Sequence, residues 1–115
     1  MFVLKLDFDF GLSDKQNPDK ATPQQIVFNW VRYAVNLKHK DGLQGGMLRT
    51  WGRLQRKFEK AIDDKDSSIE IEDAEREIIQ KAFNDGEKVK FPIDSAKVVM
   101  VIQDEIDGLK EKETA

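Results

Sequence analysis

Residues 2–10 read Phe-Val-Leu-Lys-Leu-Asp-Phe-Asp-Phe, which puts Phe2, Leu4, Leu6, Phe8 and Phe10 on one face and the charged residues on the other. That period of two predicts a half-buried β-strand about nine residues long. No turn and second alternating run follow it. The strand must therefore find its hydrogen-bond partners far along the chain or on another molecule, and an unpaired edge invites contact with other chains.

The remainder of the 115 residues is mostly helical in pattern. Residues 11–21 read as a loop, with Asn17-Pro18 inside it. Thr22-Pro23-Gln24-Gln25 signals the first helix: Thr22 caps, Pro23 suits the first helical position and Gln25 returns the capping-box bond. Along it Gln25, Asn29, Arg32 and Asn36 fill one narrow sector, and Ile26, Val27, Phe28, Trp30, Val31, Tyr33, Ala34, Val35 and Leu37 fill the rest. This helix is expected to be central, with Trp30 in the core. A second helix is expected from about Met47 to Ile62, with Met47, Leu48, Trp51, Leu54, Phe58, Ala61 and Ile62 on its buried face. An acidic loop over 63–68 leads to a short strand, Ile69 to Ile71, and then to a third helix begun at Glu72 or Asp73 and stopped by Asn84-Asp85-Gly86. Residues 89–91 predict another short strand ended by Pro92. Asp94 is expected to cap a fourth helix carrying Val98, Val99, Ile102, Ile106 and Leu109, with Met100 and Val101 off its stripe. The fold class is α+β, mostly α: four helices with a small sheet of one long N-terminal strand and one or two short ones. The chain is expected to form a single domain over 1–115, with 11–21 a loop and 109–115 a frayed tail.

Composition narrows the function. Cysteine is absent, which excludes disulfides, thiolate metal sites and cysteine nucleophiles. No apolar run approaches the roughly 20 residues of a membrane span, and the N-terminus has no signal-peptide core, so no membrane partner and a cytoplasmic location are expected. The formal charge of −3 hides an internal division. Residues 32–60 carry eight basic and two acidic side chains, whereas 63–87 carry three and ten.

Three constellations could carry function. Arg49, Arg53, Arg56 and Lys60, with Lys57 at the edge, gather on the polar face of the second helix, with Arg32, Lys38, His39 and Lys40 upstream. These cations suit an acidic protein partner, and a nucleic-acid backbone is the alternative. The apolar placement of Trp51 and Phe58 leaves no aromatic ring interleaved with the cations, as base stacking would need. Second, residues 64–75 resemble an EF-hand calcium loop, with Asp64, Asp66, Ser68 and Glu72 at ligand positions and Glu75 as the closing acid. Ile69 stands at the sixth position, where the loop requires glycine, so no metal ligand is assigned there. Third, the free strand edge could pair with a second copy in a homodimer. No catalytic residue is assigned: His39 is the single histidine and sits between two lysines, and Gly42, Gly45 and Gly46 lack the strand and the Gly-Lys-Ser/Thr ending of a phosphate loop. No enzyme activity and no cofactor are expected.

In element order and size the whole chain resembles the small accessory proteins of tailed phages and prophages. The residues that carry the likeness are the opening Leu-Lys-Leu-Asp-Phe strand, the helices over 22–35 and 47–61, and the strand–helix unit over 69–83. The resemblance implies a non-enzymatic role in assembly or regulation through contacts, and it names no functional residue.

Overall fold

The computed structural model describes residues 1–109. The order is β1 (Phe2–Lys5), α1 (Pro23–Lys38), α2 (Gly45–Asp64), β2 (Ser68–Ile71), α3 (Asp73–Phe83), a 3-10 turn (Ile93–Ser95) and α4 (Ala96–Asp107). The fold is α+β and mostly α, as the patterning predicts. β1 and β2 form a two-stranded antiparallel sheet in the register Phe2↔Ile71, Val3↔Glu70, Leu4↔Ile69 and Lys5↔Ser68.

The expected long strand is corrected to four residues. Beyond Lys5 the amides of Leu6 and Asp7 both donate to the Ser67 carbonyl, at 2.8 and 3.3 Å, and the Phe8 amide turns back to the Leu6 carbonyl at 2.9 Å. The partner sets this limit. β2 follows α2 closely, and Lys65 closes that helix in the left-handed region at φ 53°, so no extended backbone precedes Ser67 for residues 8–10 to pair with. Burial nevertheless keeps the period of two. Leu4 and Leu6 are fully buried, and Phe8 and Phe10 are half-buried against the same core. The alternation therefore records a face that continues after the ladder has stopped.

Residues 89–91 are not a strand either. Val89 is buried, and the segment is held by side chains: the Tyr33 hydroxyl donates to the Lys90 carbonyl at 2.9 Å, and Phe91 stacks on Phe83 at 5.3 Å. Trp30 belongs to this cluster, edge-on to Tyr33 and Phe91, and is half-buried rather than central. An aromatic docking site has taken the place of a ladder.

The starts of α1 and α3 follow their caps. Thr22 and Gln25 form the reciprocal capping box of α1, and Glu72 with Glu75 forms that of α3. α1 buries Val27, Phe28, Val31, Ala34 and Val35 and leaves Asn29, Arg32 and Asn36 in solvent. It packs against α3 and α2, with Phe28 stacked on Phe58 at 5.0 Å. α2 starts two residues before the expected Met47 and takes in Asp63 and Asp64. Asp94 lies in the 3-10 turn, and α4 opens after Ser95 with no side-chain cap. Val99, Ile102 and Ile106 of α4 close the core, while Met100 and Ile93 stay exposed. Leu109 packs half-buried on the core, and the rest of the expected frayed tail, residues 110–115, lies outside the described residues. Among the described residues no helix is long and apolar enough to cross a membrane.

Candidate functional site on helix α2

α2 has the sharpest division of faces in the chain. Trp51, Leu54, Phe58 and Ala61 recur at helical spacing and are buried. Arg49, Arg53, Arg56 and Lys60 recur on the opposite side and are all exposed. At 1.5 Å per residue this ridge is about 16 Å long.

Its members are not equivalent. Lys60 pairs with Asp64 one turn on, at 2.8 Å, and that hydrogen bond raises the lysine above its ordinary pKa. Lys57 leaves the ridge altogether. Its Nζ lies 2.6 Å from Glu75 Oε1 on α3, a side chain only 2 % exposed. The same Oε1 accepts the Glu72 amide at 2.8 Å, and Oε2 is buried without a hydrogen-bond partner. Lys57 thus compensates a buried carboxylate and is removed from the contact set that the sequence suggests. Arg49, Arg53 and Arg56 have no ion pair among the described residues. Two of the upstream cations are engaged elsewhere. Lys38 pairs with Asp85 at 2.7 Å, and Arg32 bonds Asn29 and lies over the Phe28 ring. Burial, followed by repulsion from Lys38 and Lys88, holds His39 below its ordinary value of 6.5.

The calcium-loop pattern does not assemble. Asp64 sits in the last turn of α2 on Lys60, Ile69 is buried in β2, and Glu75 is committed to Lys57 and the α3 cap. Among the described residues no group of three acidic or histidine side chains is placed to share a metal ion. A strand occupies the position where the loop would need a sharp glycine turn, and it pulls the carboxylates apart.

The sheet edge is smaller than the alternation implies. On the side of β1 away from β2, the Lys5 amide donates to Glu105 Oε1 of α4 at 3.2 Å. A four-residue strand with one outward amide already taken offers little backbone to a partner. Sequence reasoning missed two buried polar groups, Glu75 and Gln24. Gln24 Nε2 donates to the Asp66 carbonyl at 2.8 Å and ties α1 to the loop before β2. Glu75 was legible as a capping acid three residues after Glu72, whereas Gln24 carried no signal beyond its place in the first helical turn.

Compared with known proteins, the chain matches no family model, no curated protein and no solved structure.

Proposed function

We propose that this chain is a non-enzymatic contact protein that docks an acidic protein surface on the exposed ridge of α2, through Arg49, Arg53 and Arg56. The observation that carries the reading is that these three guanidiniums share one solvent face and form no ion pair among the described residues. Arginine suits the task, since its planar fork pairs two-pronged with carboxylates. On the resemblance of its element order to small phage accessory proteins, we assign that contact a role in assembly or regulation inside the cytoplasm.

A protein partner is favoured over nucleic acid by what surrounds the ridge. Trp51 and Phe58 are buried beneath it, out of reach of any base, so the face offers guanidiniums without the stacking platform a nucleic acid would use. An acidic peptide of glutamate and alanine and a 20-base-pair DNA duplex, each fluorescently labelled, separate the two by anisotropy. The peptide is expected to bind, and Arg49→Glu, Arg53→Glu and Arg56→Glu together to abolish binding. Tighter binding of the duplex, with affinity falling by a log–log salt slope of about −3 as three phosphates are neutralised and their counterions released, would transfer the ridge to nucleic acid.

A further inference from the structure

The charges of α2 are divided along its length as well as around it. Arg49, Arg53 and Arg56 stand in its N-terminal part, and Glu59, Asp63 and Asp64 in its C-terminal turns. This order opposes the helix macrodipole, which favours acids at the N-terminal end and bases at the C-terminal end. The first turn holds no acid, the last turn no base, and Gln44 supplies no side-chain cap. Like charges also stand one turn apart, Arg49 beside Arg53 and Glu59 beside Asp63. Glu59 and Asp63 are exposed and form no ion pair among the described residues. A second copy of the same helix, laid antiparallel, relieves each of these conflicts. We infer that two copies of this chain pair through α2 about a two-fold axis. The inference rests on the reading of the arginine ridge given above and names its acidic partner, the C-terminal half of the same helix in the other copy.

The spacing sets the register. Gly45, Arg49, Gly52, Arg56, Glu59 and Asp63 follow one another in alternating steps of four and three residues, the spacing of a single helix-packing seam, on the side of α2 away from Trp51, Leu54 and Phe58. The steps read the same from either end. An antiparallel copy therefore sets Arg49 against Glu59 of the other chain, Arg56 against Gly52 and Asp63 against Gly45, and the two-fold axis makes each contact twice. Both glycines suit that register. Gly52 lies in the helix interior, where glycine costs stability relative to alanine, yet a Cβ built on it meets nothing within 4 Å in its own chain. Opposite Arg56 the bare position leaves room for the long side chain to cross. Gly45 opens the uncapped first turn to the Asp63 carboxylate, a negative charge at the positive end of the helix. On one flank of the seam Leu48, 56 % exposed, meets the half-buried Ile62 of the other copy, which supplies the apolar contact. Arg53 lies on the other flank, in solvent.

Sedimentation equilibrium of the full chain is the test. A mass twice 13.3 kDa is expected at about 0.01 M salt and the monomer mass at about 1 M, where the screening length has fallen to about 3 Å. Arg49→Glu and Glu59→Arg should each leave a monomer at low salt with an unchanged far-UV circular-dichroism spectrum, since both positions are exposed. An equal mixture of the two variants should restore the dimer, because each contact between them again joins opposite charges. A monomer at every concentration and salt that still binds the peptide of glutamate and alanine would overturn the self-pairing and leave the ridge standing. A monomer that binds no peptide would take down both readings. A dimer that persists at high salt or survives either reversal would overturn α2 as the interface, and a mixture that stays monomeric would overturn the antiparallel register.

Discussion

Lys57 and Glu75 give the most demanding test of the fold around α2. Glu75 is almost wholly enclosed, one of its oxygens is shared between Lys57 Nζ at 2.6 Å and the Glu72 amide at 2.8 Å, and the other has no partner. Lys57→Ala therefore leaves a buried carboxylate with a single hydrogen bond. Removing one member of a buried pair costs about 3–5 kcal/mol. Lys57 keeps 32 % of its side chain in water, so water can replace part of what is lost. The expected destabilisation is about 2–3 kcal/mol. With a urea m-value of about 1–3 kcal/mol/M, the midpoint should fall by roughly 1–2 M at unchanged slope. Arg53→Ala, a surface change without a partner to strand, should cost under about 0.5 kcal/mol. Glu75→Gln in the Lys57→Ala background should recover part of the loss, since the amide keeps an acceptor for the Glu72 amide and carries no charge. Equal midpoints for Lys57→Ala and Arg53→Ala would refute the assignment of Lys57 to the interior.

Three further outcomes follow from the packing. Leu6→Ala should cost about 2–5 kcal/mol by leaving a cavity, and Asp9→Ala close to nothing, as read by urea denaturation, because burial rather than ladder pairing holds the segment after Lys5. Tyr33→Phe should cost about 0.5–1 kcal/mol in thermal unfolding by losing the hydrogen bond to the exposed Lys90 carbonyl, with the Phe91 ring contacts kept. Stability should fall in two steps as pH is lowered. His39 is held below 6.5 by burial, so its contribution is fully present above that value and is lost as pH falls through it towards the lower folded pKa. Asp85 is held below its ordinary 3.8, chiefly by the hydrogen bond from Lys38, so its contribution is present above that value and is lost as pH falls below it. His39→Gln should erase the upper step in a circular-dichroism titration and leave the lower one.

The four helices were legible because each combines a spacing with a stop or start signal. Thr22-Pro23 for α1, the 51-54-58-61 stripe for α2 and the acids Glu72 and Asp73 at the start of α3 each state a local preference that the fold accepts. The strands were less so. Alternation at 2–10 specifies which residues face inward, and says nothing about whether a neighbour exists to fill the ladder; only the length of β2 decides that. Residues 89–91 fail for the same reason, since Phe83, Trp30 and Tyr33 come from two other helices and outcompete a sheet edge. On the ridge, helical spacing grouped Arg49, Arg53, Arg56 and Lys60 and set Lys57 at their edge, but could not say where Lys57 would pair. Its fate depends on a carboxylate 18 residues away that tertiary packing encloses.

The pairing of β1 with β2 also sets an order of events in the making of the protein. More than 60 residues of chain separate the two strands. At a synthesis rate of about 5–20 residues per second, residues 2–10 wait roughly 3–14 s on the ribosome before their partner is made. Through that interval Phe2, Leu4, Leu6, Phe8 and Phe10 have no sheet to join, and they form the segment of this chain best suited to pairing with another nascent copy. Lys5, Asp7 and Asp9 interrupt every step of that run after Leu4 with a charge, as gatekeeper residues do. In the folded molecule Lys5 lies over the Phe8 ring and Asp9 accepts the Gly11 amide, both in solvent; their gatekeeping falls in the seconds before there is a fold.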